Sequence, residues 1–153
     1  MRRLAALVLV LVPLLAAGIA VPASAETTRQ DRIRQVKQVA LRQIGDRYRY
    51  GAEGPTRFDC SGLVYFSARR AGFDAIPRTS SQQARYMRRI DRSAMRSGDF
   101  VFFTGRHGVY HVGVYLGRRD GRRMIVHAPS PGTKVRRDPV WTSRWFAGTL
   151  RRR

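Results

Sequence analysis

The sequence is poor in cysteine, lysine and acid. Of 153 residues only Cys60 is a cysteine. A single thiol excludes an intramolecular disulfide framework and any zinc site built from several thiolates. Asp and Glu number 10 against 30 Lys and Arg, a formal net charge of +20. Only Lys37 and Lys134 are lysines, so the positive charge is almost all arginine. Long apolar runs are scarce too. Leu4 to Ala17 is the one such stretch, and nothing after it is long enough to span a bilayer. Internal repeats, long linkers and a second module are absent.

That one run has the form of a secretory leader. Arg2 and Arg3 give a charged start, and Ala23-Ser24-Ala25 gives a small-residue cleavage site. The expectation is a signal peptide over 1–25, removal after Ala25, and a single domain over 26–153. A retained membrane anchor is the alternative, disfavoured by the shortness of the run. No cysteine lies near the cleavage site, so a lipid anchor has no support. Removing Arg2 and Arg3 leaves 28 basic residues against 10 acidic, +18. Such a field attracts polyanions: nucleic acid, anionic lipid, or the phosphates and carboxylates of a cell wall. Export argues against intracellular nucleic acid. Part of the excess can equally be arginine on solvated faces.

An exported chain with one unpaired thiol directs attention to Phe58-Asp59-Cys60-Ser61-Gly62-Leu63-Val64. Asp59 is a good N-cap type, and Leu63, Val64, Phe66 and Ala68 follow at near-helical spacing, with Gly72 as a stop. Cys60 is therefore expected at the start of a buried helix, where free N–H groups and the positive dipole end favour a thiolate. Two readings stand at this point: a reactive nucleophile, or a small core residue, as free cysteine often is.

Upstream, Gln30 to Ile44 reads as a packing helix with a stripe of Ile33, Val36, Val39, Ala40 and Ile44, ended by Gly45. Tyr48 to Pro55 is a glycine-rich loop leading into Cys60, and a tyrosine hydroxyl there can reach the helix start. Ordinary packing is the plainer role for each tyrosine, more so for Tyr50 than for Tyr48. Downstream, Ser80 or Ser81 is expected to cap a short helix through Gln82, Gln83, Ala84 and Met87. Phe100 to Phe103 reads as a strand buried on both faces. In His111 to Gly117, alternation puts Val112, Val114 and Leu116 on the core face, and leaves His111 beside the bare Gly113. A turn at Asp120-Gly121 joins this strand to Met124–His127. His111 and His127 can thus be neighbours across the sheet. Thr133 to Arg137 and Trp145 to Leu150 read as further strands. Helices first and strands afterwards make an α+β pattern.

A thiol attacks only as a thiolate, so it needs a base, and the base needs a partner that fixes its tautomer. The roles fall on Cys60 as nucleophile, His111 as base and His127 as orienter, with the Cys60 N–H helping to bind an oxyanion. His107, before the alternation, is read as a loop residue.

With these residues in place, the chain resembles the NlpC family of papain-like cysteine peptidases, which cut bacterial peptidoglycan. The likeness is carried by Tyr48 to Ala52, by Phe58 to Val64, by Pro77-Arg78-Thr79-Ser80 with Gln83, by Gly98 to Phe103, by His111 to Gly117 and by Ile125-Val126-His127-Ala128-Pro129. It implies a papain-like α+β fold with the Cys60 helix packed on an antiparallel sheet, and it implies the same triad. It further implies that Tyr48 lines the site and that Asp59 and Ser61 help bind the free amine of a short stem peptide. The bond implied is that between D-γ-glutamate and the diamino acid of the stem; no metal or organic cofactor is implied. Arg47, Tyr50 and Ala52 stand where the family commonly has proline, tryptophan and glycine, which bears on substrate detail. Arg47, Arg49 and Arg57 add positive charge beside the site, suited to stem carboxylates or wall phosphates.

The leading expectation is a secreted, cell-envelope cysteine endopeptidase whose partners are peptidoglycan stems and anionic wall polymers. No specific nucleic acid is expected, nor a membrane span after cleavage of the leader. An amidase of the same fold, cutting between sugar and peptide, is the alternative enzyme; its family usually has a polar residue other than histidine in third place. A basic wall-binding or membrane-disrupting protein with a vestigial site is the non-enzymatic alternative.

Overall fold

A computed structural model describes residues 23–151. The leader expected over 1–25 lies outside these but for its last three residues. Among the described residues, no helix is long and apolar enough to cross a membrane.

Helix α1, Ala23–Arg42, begins earlier than its apolar stripe suggested. Ile33, Val36, Val39 and Ala40 are buried as the 3.6-residue period requires. Ile44, expected on the same stripe, is 42% exposed because the helix has already ended in tight turns, with Gly45 at φ +101°. Two short parallel strands follow, β1 Arg47–Tyr48 and β2 Arg57–Phe58. Next comes α2, Cys60–Arg70, capped by the Asp59 carboxylate, which accepts the Gly62 N–H.

Helix α3, Ser80–Tyr86, is capped by Thr79 and not by the serines behind it. Thr79 and Gln82 form a reciprocal capping box, so the motif starts one residue earlier than expected. The sheet comprises β3 Arg88–Ile90, β4 Phe100–Gly105, β5 Gly108–Arg119, β6 Arg122–His127, β7 Arg136–Pro139 and β8 Trp145–Thr149. Its order is β3-β8-β4-β5-β6-β7, antiparallel throughout.

The run Phe100 to Phe103 explains the layering. Phe100 and Phe102 join Val112, Val114 and Val126 under the helices, against Val36, Ala40, Leu63, Val64 and Ala68. Val101 and Phe103 face the other side with Tyr115, Ile125, Trp145 and Ala147. Each fully buried side chain of this size contributes about 1.5–3 kcal/mol, so the sheet holds the helical layer firmly on one face. The β5–β6 turn has Asp120 at φ 49° and Gly121 at φ 74°, the paired left-handed residues that a two-residue hairpin needs. At the other end of the order, Arg29 on α1 donates to the Leu150 carbonyl (3.2 Å) and to Thr149 Oγ1 (3.1 Å), tying the first helix to the end of β8.

Candidate active site

Cys60 is the first residue of α2, half-buried, and carries the lone thiol. Gly62 explains how the preceding loop reaches it. A Cβ built on Gly62 would stand 2.0 Å from the Ala52 carbonyl oxygen, so the loop backbone lies directly on the first turn of the helix. That carbonyl accepts the Asp59 N–H (2.9 Å) and Arg78 Nη2 (3.1 Å).

The thiol lies within hydrogen-bonding reach of the Val112 N–H on β5, the residue after His111. The N–H groups of Val112, Ser61 and Cys60 all favour the thiolate, but burial outweighs them and pushes the thiol up, with the Asp59 charge acting the same way. At this helix terminus burial opposes the thiolate that position alone favours. His111 is buried, and its imidazole is lowered to about 3, first by burial and then by His127. Burial thus works against the charged form of both side chains.

His111 and His127 are in contact. His111 Nε2 lies 2.7 Å from His127 Nδ1, and His127 Nε2 lies 2.9 Å from Asp138 Oδ2. Arg136 Nε donates to the same Asp138 oxygen at 2.7 Å. Burial would raise the Asp138 carboxyl, but Arg136 and His127 hold it below its ordinary value, so it is ionised. These bonds assign the tautomers. An ionised Asp138 only accepts, so His127 carries its proton on Nε2. Burial keeps His127 neutral against the pull of Asp138, so its Nδ1 is an acceptor. His111 must then donate from Nε2, which leaves His111 Nδ1 as a bare lone pair, the form a general base requires. Gly113 makes room for this: a Cβ there would sit 2.7 Å from Ile125 Cδ1 and 3.4 Å from His127 Cβ.

Trp141 roofs the pair. Its ring stacks on Phe103 at 4.0 Å and lies 5.6 Å from the His111 ring and 5.4 Å from that of His127, yet it is 48% exposed. Neither Trp141 nor Asp138 stood out in the sequence. Asp138 lies among arginines in Arg136-Arg137-Asp138-Pro139, and its signal is the antiparallel register that puts Arg136 opposite His127.

The three residues expected to bind substrate lie around Cys60. Tyr48 is half-buried; burial raises its hydroxyl first, and a thiolate on Cys60 and the Asp59 carboxylate act the same way, so the hydroxyl faces that pair. Tyr50, for which packing was the plainer role, is 86% exposed. The Asp59 carboxylate accepts from Gly62 N (2.6 Å), Ser61 Oγ (3.2 Å), Gly51 N (2.9 Å) and both terminal nitrogens of Arg78 (3.1 and 2.8 Å). Burial opposes its ionisation, but these donors hold it low. Arg78 also reaches Ser61 Oγ (3.1 Å) and the half-exposed Glu53 (2.9 Å). Asp59, Glu53 and Arg78 together leave one net negative charge in an otherwise basic protein. Arg47, Arg49 and Arg57 are exposed, and Arg47 pairs in register with Arg57. His107 is exposed in the β4–β5 turn.

Three similarities to known proteins bear on this arrangement. The probable endopeptidase p60 of Listeria monocytogenes is 37% identical over 106 residues, 69% of this chain and 20% of that protein. The murein DD-endopeptidase MepH of Escherichia coli is 39% identical over 100 residues, 62% of this chain and 35% of that one. The chain thus spans about a fifth of the first relative's length and about a third of the second's. The structure of the peptidoglycan hydrolase RipB of Mycobacterium tuberculosis superposes with a TM-score of 0.70 at 26% identity, over 89% of this chain and 75% of that one. The sequence model described as the NlpC/P60 family matches residues 45–153, which takes in Cys60 and both buried histidines, and the chain belongs to that family.

Proposed function

We propose that this protein is a secreted cysteine endopeptidase that hydrolyses the amide between D-γ-glutamate and the diamino acid of peptidoglycan stem peptides. The observation that carries the reading is the hydrogen-bonded series from Asp138 through His127 to His111, which leaves a bare His111 Nδ1 on the strand against which the Cys60 thiol lies. Relatives named as peptidoglycan endopeptidases support the substrate class.

In this mechanism Cys60 is the nucleophile, His111 the base and His127 the orienter. His111 Nδ1 takes the thiol proton as Sγ attacks the amide carbonyl. The Cys60 N–H helps hold the oxyanion. The imidazolium formed on His111 is steadied by His127 and Asp138, then returns its proton to the departing amine. A thioester remains. Water, deprotonated by His111, attacks it and releases the new carboxylate together with the thiol.

Tyr48, Ser61 and Asp59 form the stem-binding side of the cleft. The net negative charge of the Asp59, Glu53 and Arg78 group suits the ammonium of a stem with a free amino end. Asp59 acts there mainly through its charge, since its oxygens already hold five donors from the chain itself. No resident metal or organic cofactor takes part in this scheme. The protein acts outside the cell membrane, in the envelope, after removal of residues 1–25.

Mass spectrometry of products from a defined muropeptide mixture tests this, with Cys60→Ala alongside. The expected result is a fragment beginning with the diamino acid, absent from the mutant digest. Sugar freed from intact peptide would make the protein an amidase. Cleavage at the cross-link between two stems would assign it the bond in the name of the Escherichia coli relative. No cleavage by reduced wild type would favour a wall-binding protein with an inert site.

A further inference from the structure

The far end of the β5–β6 hairpin carries charge that the catalytic scheme does not use. Arg118 stands opposite Arg123 in register, and Arg119 opposite Arg122. Like charges directly across a strand pair are destabilising. The carboxylate nearest them is Asp120, 92% exposed and 3.8 Å from Arg119 Nε, which offsets little.

Beside this hairpin is a groove of about 390 Å³, walled by α1, β5, β6 and β7. Its cations come from three separate elements: Lys37 from α1, Arg118 and Arg119 from β5, and Arg137 from β7. No carboxylate lines it, and no ion pair to Lys37, Arg118 or Arg137 is formed among the described residues. Arg118 is held in place by a bond to the Gly121 carbonyl (2.7 Å). The floor is apolar, made by Leu41, Leu116 and Met124, all half-buried. The concavity follows from a β-bulge: the register of β5 on β6 skips Leu116, and Gly117 takes φ +118° where a Cβ would meet nothing.

We propose that this groove binds a linear phosphodiester polymer, a chain of polyol phosphates, at a site separate from the catalytic centre. Arginine's planar fork suits phosphate oxygens, and cations spread over three elements suit an extended polyanion better than one small ion. The apolar floor suits the polyol carbons between successive phosphates, which free phosphate lacks. The floor residues are half-buried and the arginines around them exposed, so a flat bilayer would meet the arginines first. Single-stranded nucleic acid is a poor fit, because no aromatic side chain lines the groove to stack a base. Arg118 is seven residues along β5 from His111, roughly 20 Å at strand rise, so an anchored polymer leaves the cleft open to a stem. The groove is lined by residues other than Arg47, Arg49 and Arg57.

Binding is measured with poly(glycerol phosphate), and separately with inorganic phosphate, poly-glutamate and phosphatidylglycerol vesicles. The variant Lys37→Ser/Arg118→Ser/Arg137→Ser is compared with a control of equal charge loss, Arg85→Ser/Arg88→Ser/Arg144→Ser. The groove variant is expected to bind poly(glycerol phosphate) at least tenfold more weakly, and its slope of log affinity against log salt to fall by roughly two to three. The control should stay within about twofold, and both variants should unfold at the wild-type temperature. Equal weakening in both would reduce the effect to net charge and overturn the proposal. So would equally tight poly-glutamate binding, tight binding of inorganic phosphate alone, or binding to vesicles without binding to the polymer. Because binding is read without turnover, this result stands or falls apart from the endopeptidase reading.

Discussion

His127 has one acceptor to serve and one donor to receive, and Asp138 decides which nitrogen does which. Asp138→Ala should therefore lower kcat about 10- to 100-fold, up to the lower end of what a positioned base itself contributes, and leave KM within about threefold. Asp138→Asn should lose less, since its amide oxygen can accept from both Arg136 and His127. A raised KM at unchanged kcat would remove Asp138 from the catalytic argument. Burial gives His111 a second, thermodynamic consequence. Its folded value, about 3, lies below the ordinary 6.5. Between those limits the unfolded chain binds the extra proton, so stability falls as pH drops from about 6.5 towards 3. His111→Gln should thus lose less of its urea midpoint between pH 7 and pH 4 than wild type does. Asp59 and Asp138, both held low, add their own loss only below the ordinary carboxylate range. At this scale the sequence was informative where a residue obeyed a period. His111 and His127 were placed by strand alternation and a hairpin, and they meet. Asp138 was not legible, because its role depends on the register of a short arginine-rich strand. For Cys60 the helix end could be read from the chain, but the depth of burial, which opposes the thiolate, could not.

Between elements, the decisive contact is backbone on backbone. The Ala52 carbonyl rests on the first turn of α2 where Gly62 has no side chain, and it also takes a bond from Arg78, just before α3. Gly62→Ala should push that loop off the helix, because a backbone atom 2.0 Å away cannot be displaced cheaply. The expected outcome is a loss of at least tenfold in kcat/KM with a lowered thermal midpoint; wild-type kinetics would show that loop and helix are not coupled. The Cys60 helix, the buried β4 strand and the hairpin were legible, since each combines a strong pattern with a clear stop. Element ends were less so. The first helix begins before its stripe, and α3 is capped by Thr79, one residue before the serines expected to cap it.

For the molecule as a whole, the α+β order of helices followed by an antiparallel sheet was legible because contacts along the chain are mostly between neighbouring elements. The two placements it hid, β3 beside β8 and β8 beside β4, join segments far apart in sequence. The exported protein should begin at Glu26, which intact-mass measurement of secreted material would check; retention of residues 1–25 would mean an uncleaved anchor. Removal after Ala25 leaves the contacts of Arg29 in place. Those contacts make the described fold close on itself: helix start and final strand share a corner. A permuted gene, joining the two through a short glycine-rich bridge and opened at the exposed Asp120-Gly121 turn, should therefore still code for the same architecture, with its new ends beside the phosphate groove.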